Sequence, residues 1–219
     1  MDAGDRVLEV AQQSRDGSAA SVNLHEALQD VEIAFWQLEF SIKLLTFCEL
    51  KKLAPSEFDT DHFVKLEEGD LRFPAGHFSD LENIISAAGV SVALAFGASA
   101  LALDKAFETA QITPNPESDD NATRIRTLIY MVRCAYAHGI AEPRWEVRGK
   151  YRRAMSVEVE GIVTPIDLEK LDGKVFDFKH IGGHSNWNRM RDAAIQVLRA
   201  VEQRDVVGGP TDTATDRER

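Results

Sequence analysis

From residue 24 to residue 45, the apolar side chains Leu24, Leu28, Val31, Phe35, Leu38, Ile42 and Leu45 fall alternately four and three positions apart. At 3.6 residues per turn this draws one continuous apolar stripe along about six turns, the pattern of a long helix in a bundle. Asn23-Leu-His-Glu26 has capping-box spacing and predicts the helix start. Residues 1–20, small and polar, are expected to be a flexible N-terminus, and the helix should end before Pro55.

Residues 53–78 contain Pro55, Pro74 and Gly76 and read as a connecting loop. Ser79-Asp-Leu-Glu82 is a second capping box, opening a helical region to about residue 111. Within it Gly89, Ala93 and Gly97 recur every fourth residue, a ridge that lets another helix approach closely, and Gly89 could divide the region in two. After Pro114 and Pro116 a third helix should run to His138, with Ile125, Leu128, Ile129, Val132 and Tyr136 on one side and Gly139 as its C-cap. Beyond Pro143 the period changes to two: Met155, Val157 and Val159 alternate with Ser156, Glu158 and Glu160, as in a half-buried strand. Residues 145–147 and 175–178 look like its partners, joined by turns at Gly149, Pro165 and Asp172-Gly173. Ser185 could cap a last helix to about residue 205, leaving 206–219 as a disordered tail. The expected fold is mainly α: one helical-bundle domain over 21–205, with a small antiparallel β insertion at about 144–180 before the last helix.

The 219 residues are 44% hydrophobic and 28% charged, the arithmetic of a soluble globular chain with one sizeable core. Two cysteines, Cys48 and Cys134, make no disulfide framework and read as free thiols in a reducing, cytoplasmic compartment. No basic region followed by an apolar run marks a signal peptide. Residues 84–103 carry no charge, but twelve of the twenty are Ala, Gly or Ser, without flanking basic clusters or aromatic belts. A buried helix is expected there, with no membrane partner.

Phosphate loops, G-x-S-x-G, H-E-x-x-H and Cys-x-x-Cys are all absent from the sequence. His180 and His184, near Asp177, have metal-binding spacing for a helix, but Gly182-Gly183 between them argues for a polar turn; no metal or cofactor is assigned. The aromatic set Phe35, Trp36, Phe40 and Phe47 reads as core. The net charge of −11 argues against a protein that coats nucleic acid. Yet residues 122–153 carry Arg124, Arg126, Arg133, Arg144, Arg148, Lys150, Arg152 and Arg153 against only Glu142 and Glu146, so this window is +6 and the remainder −17. Tyr130, Trp145 and Tyr151 are interleaved. Clustered arginines with aromatics can hold phosphates and stack on bases, which makes Arg126, Tyr130, Arg144, Arg148, Lys150, Arg152 and Arg153 candidate RNA- or phosphate-binding residues. The alternative is a solvated face paired with the acidic remainder. Within the window, Arg133 and His138 lie about 140° apart around one helix, so they would edge a cleft. An arginine fork for phosphate and a histidine titrating near neutrality are the groups needed to cleave RNA by its own 2′-hydroxyl.

A helical bundle whose late helix carries Arg-x4-His, here RCAYAHG from Arg133 to His138, resembles the HEPN superfamily. The string YAHGIAEPRWEV is similar to the boundary in HEPN-like proteins where that helix gives way to a Pro-Trp turn and a β extension. The resemblance covers roughly residues 22–145. It implies a homodimer with the two motifs facing each other across a cleft, and in many members a metal-independent endoribonuclease acting as a toxin or in phage defence. Arg133 would then bind phosphate and His138 act as general acid or base, with RNA as substrate and a protein antitoxin among the implied partners. The position after the arginine, frequently Asn in the family, is Cys134 here. Other members are non-catalytic and bind nucleotide, RNA or protein, so a non-catalytic helical dimer is the second expectation.

Overall fold

The computed structural model describes residues 3–137, 139 and 142–207, with side chains from 23 to 203 within those ranges. His138, Ile140, Ala141 and residues 208–219 lie outside the described residues, and with them most of the expected tail. The protein is mainly α: long helices α1 (Ala3–Glu49), α3 (Leu81–Thr109), α4 (Asn121–Ala137) and α6 (His184–Val207), short helices α2 (Pro55–Phe58) and α5 (Leu168–Leu171), and two two-stranded antiparallel sheets. It divides into two compact units, Glu32–Ser99 and the remainder, with the division falling inside α1 and α3.

The apolar stripe of α1 is largely buried, from Leu24, Leu28 and Val31 to Phe35 and Leu38. The capping-box expectation is corrected: α1 spans Ala3–Glu49, so Asn23 lies inside the helix and not at its start. Helices α1 and α3 both end in left-handed residues that are not glycine, Lys51 (φ 54°) and Gln111 (φ 57°). In each case paired reverse hydrogen bonds, Lys52 N–H to Phe47 O and Ile112 N–H to Phe107 O among them, close the last turn. Gly89 does not divide α3, which is one continuous helix. Its cap is Asp80, whose Oδ1 accepts from Glu82 N–H at 3.0 Å, while Ser79 Oγ donates to Gly76 O instead.

The unit Glu32–Ser99 corrects two expectations. Residues 53–78 are not merely a loop: they contain α2 and a hairpin of β1 (His62–Leu66) and β2 (Gly69–Phe73), registered from His62↔Phe73 to Leu66↔Gly69. Of the aromatic set only Phe35 is core; Trp36, Phe40 and Phe47 are exposed, because they occupy the side of α1 roughly opposite its buried stripe. A small core forms where α1 meets α3, around Cys48, Ile84 and Ala88.

In the other unit α4 packs on α6 and on the hairpin β3 (Ala154–Val159) and β4 (Ile162–Asp167). Leu128, Ile129 and Val132 of α4 meet a core that includes Trp187, Met190, Ala194 and Leu198 of α6. The β insertion precedes the last helix as expected, but with different pairing. The partner of β3 is β4, joined by the two-residue turn Glu160-Gly161 with both φ positive (52° and 75°), as a tight hairpin turn requires. Pro165 lies inside β4, opposite Ser156, and not in a turn; residues 145–147 and 175–178 are not strands of this hairpin, and the chain around Trp145 instead meets residues 173–176 through the isolated bridge Arg144↔Val175 and the backbone hydrogen bonds beside it.

Candidate functional site: a basic, tyrosine-lined pocket on helix α4

Helix α4 is fixed at its start by Asp120, whose Oδ2 accepts from Thr123 N–H (2.8 Å) and Thr123 Oγ1–H (2.7 Å). Those bonds hold the Asp120 carboxyl below the usual carboxylate range. Past its end, the chain returns as an extended segment. Arg144 N–H donates to Ala135 O, while Trp145 and Val147, both buried, point inward and leave Arg144, Glu146 and Arg148 outward. Trp145 exchanges backbone hydrogen bonds with Lys174 and Gly173, and Asp172 Oδ1 accepts from Val147 N–H at 2.9 Å. Gly149, at φ 54°, then turns the chain into a 3-10 turn (Gly149–Tyr151) that brings Tyr151 back over α4.

Between α4 and this segment opens a pocket of about 510 Å³, lined by Tyr130, Met131, Arg133, Cys134 and Ala137 on one side and by residues 146–151 except Val147 on the other. The Tyr130 and Tyr151 rings lie 5.4 Å apart, tilted by 35°, and Lys150 Nζ sits 5.7 Å from the Tyr151 ring. The Cys134 thiol hydrogen-bonded to Tyr130 (one helical turn away) pushes its phenol up to about 12, and burial raises that of Tyr151. Both phenols stay neutral at physiological pH.

The pocket gathers four of the expected binding residues: Tyr130, Arg133, Arg148 and Lys150. The others are placed elsewhere. Arg126 is buried, its guanidinium paired with buried Asp104, donating to Ile112 O at 3.0 Å and lying over the rings of Phe107 and Tyr130. A group so enclosed does not meet a ligand. Arg144 pairs with Glu142 at 2.7 Å, Arg152 with Asp172, and Arg153 with Glu117 at 3.8 Å. Arg148 itself pairs with Glu146 at the pocket wall. Much of the +6 window is therefore matched in space by carboxylates from outside it. Lys150 meets no carboxylate within ion-pair distance among the described residues. His138 lies outside the described residues.

Asp104 is the functional-site residue that sequence reasoning missed. Its carboxylate is buried, with Oδ1 taken by Arg126 and Oδ2 lying 3.5 Å from Arg133 Nε, so it links a core arginine to the pocket arginine. The available signal was its position: it is the first charge after the uncharged run 84–103.

His180 and His184 do not form a metal centre, and no cluster of three metal-ligating side chains occurs among the described residues. His180 Nδ1 instead accepts from Trp145 Nε1–H at 3.0 Å and from Asp177 N–H at 3.1 Å, and the His184 ring stacks on Phe178. Burial depresses the pKa of both histidines. Both cysteines are free thiols. The chain matches no family model, no curated protein and no solved structure.

Proposed function

We propose that the pocket on α4 binds the phosphate backbone of RNA and that the protein is a metal-independent endoribonuclease of the HEPN type, working in the cytoplasm as a homodimer in toxin or phage-defence roles. The observation that carries the reading is Arg133: partly exposed at the pocket wall, tethered through Nε to buried Asp104, and flanked by Tyr130, Tyr151 and Lys150. An arginine held by a buried carboxylate loses little freedom on meeting a phosphate, which favours binding. The tyrosines offer a face for a base, and Lys150 a further positive charge.

In this scheme Arg133 binds the scissile phosphate and stabilises the charge that builds on its oxygens. His138 removes the proton from the 2′-hydroxyl, or supplies one to the departing 5′-oxygen, with its counterpart from the second subunit taking the other role. The 2′-oxygen bonds to phosphorus, the P–O5′ bond breaks, and the products are a 2′,3′-cyclic phosphate and a free 5′-hydroxyl. Asp104 is a positioning residue.

A second reading, a non-catalytic dimer that binds a nucleotide or a protein such as an antitoxin, is favoured by the pairing of Arg144, Arg148, Arg152 and Arg153 with carboxylates. That leaves little uncompensated charge to follow a long strand. Fluorescence anisotropy with a labelled single-stranded RNA tests the binding claim. Arg133→Ala is expected to weaken binding about tenfold or more and Lys150→Ala by less, on the scale of charge-assisted hydrogen bonds. Equal affinity of Arg133→Ala and wild type would exclude the pocket as the RNA-binding site.

A further inference from the structure

Among the described residues that line the pocket on α4, Glu146 is the one carboxylate. Its place follows from the local chain. Along α4 the lining comes from Tyr130, Arg133, Cys134 and Ala137, a single face of the helix. The opposite wall is extended: with Trp145 and Val147 buried, alternation turns Glu146 and Arg148 to the same side, toward the pocket. This segment runs back along α4, from Arg144, whose N–H meets Ala135 O, to Tyr151, whose ring lies against Tyr130. The two tyrosines therefore close one end of the pocket, and Glu146 stands nearer the C-terminal end of α4.

At about 510 Å³ the cavity falls within the roughly 300–1,000 Å³ of small-ligand sites, which suits a single nucleotide and not a length of strand. Arg133, Arg148 and Lys150 can only donate hydrogen bonds, whereas the Glu146 carboxylate can only accept them. Its pair with Arg148 engages Oε1, and a carboxylate offers about four acceptor positions in all.

The four bases differ in what they show to such a group. The Watson–Crick edge of guanine carries two adjacent donors, N1–H and N2–H, spaced to meet both oxygens of a carboxylate. Adenine and cytosine carry an amino donor beside a bare ring nitrogen, whose lone pair a carboxylate repels. In uracil the one N–H lies between two carbonyl oxygens. Single-stranded RNA leaves these edges open to be read, while the ring stacks on an aromatic side chain.

We propose that Glu146 makes the pocket selective for guanine. The base lies against the Tyr130–Tyr151 end, its Watson–Crick edge donates to the Glu146 carboxylate, and Arg133 holds the adjoining phosphate. This rests on the reading of the pocket as an RNA phosphate site and adds which nucleotide is held there. Selection comes from repulsion as well as attraction, since any other base sets an acceptor against an acceptor.

Fluorescence anisotropy tests this with four labelled pentanucleotides, UUNUU with N as G, A, C or U, built on 2′-deoxyribose so that none is cleaved. The wild type is expected to bind the guanine strand about tenfold more tightly than the others, the scale of one bidentate base contact. Glu146→Gln, with far-UV circular dichroism as the fold control, is expected to bring the four strands within about threefold of one another. In the same variant the uridine strand should gain affinity, because Arg148 loses its carboxylate partner. A purely structural role for Glu146 would instead weaken all four strands alike and leave the preference intact. Arg133→Ala separates the two claims, since it is expected to weaken every strand. Four strands bound equally by the wild type, and all weakened by Arg133→Ala, would overturn the guanine inference and leave the phosphate site standing. A guanine preference that survives Glu146→Gln would also overturn it, and no binding of any strand would overturn both.

Discussion

Asp104 is the first charge after an uncharged run of α3, and it is buried between two arginines of α4. Removing one partner of such a group strands a charge in low dielectric, which typically costs about 3–5 kcal/mol. Arg126→Ala is therefore expected to lower the denaturant midpoint by a stability loss of that order, whereas Arg133→Ala, whose side chain is part-exposed, should cost far less and act on RNA binding. Urea titration of the two variants separates core from pocket. His180 makes a pH prediction at the same scale. Its Nδ1 accepts two hydrogen bonds and must be unprotonated to do so. Burial depresses its folded pKa below the ordinary value of 6.5, so the unfolded chain binds the proton first. Stability is then fully present above pH 6.5 and falls as pH drops below it. A His180→Asn variant, which keeps an acceptor without a titrating ring, is expected to show a flatter stability profile from pH 7 to 5.

The elements that could be read in the sequence are those whose burial repeats at the helical period. The stripe of α1 from Leu24 to Leu38 and the apolar side of α4 both lie on core, because a covered face leaves a regular trace. The hairpin β1–β2 left none: both strands are exposed throughout, and its turn is Glu67-Glu68, without Asn or Gly in the loop. β4 was hidden by Pro165, which reads as a turn but is tolerated in a two-stranded sheet where each strand has an open edge. The exposed aromatic side of α1 reads as core in the sequence because periodicity shows which residues share a face, not what covers it. Caps are local and test cleanly. Asp120→Ala is expected to cost about 1 kcal/mol by removing both hydrogen bonds to Thr123, detectable as a lowered thermal midpoint, while Asp120→Asn should retain most of the stability.

Across the whole molecule, charge decides what the pocket can do. The cluster around α4 was legible because Arg133, Arg148 and Lys150 are close in sequence, but its compensation was not. Asp104, Glu117, Asp119 and Asp172, which pair with arginines of the window, come from outside it. With Arg133, Lys150 and part of Arg148 left to meet phosphates, RNA binding is expected to be only modestly salt-dependent. For about three phosphate contacts the slope of log affinity against log salt is about −2. A slope steeper than about −5 would mean that the whole basic window grips the strand. Metal-free cleavage at the Arg133/His138 pair is tested by incubating a 5′-labelled single-stranded RNA with the full chain in EDTA, alongside Arg133→Ala and His138→Ala. Cleavage by the wild type to 2′,3′-cyclic phosphate ends, and its loss in both variants, is the expected outcome. Cleavage that EDTA abolishes, or that survives His138→Ala unchanged, would contradict it.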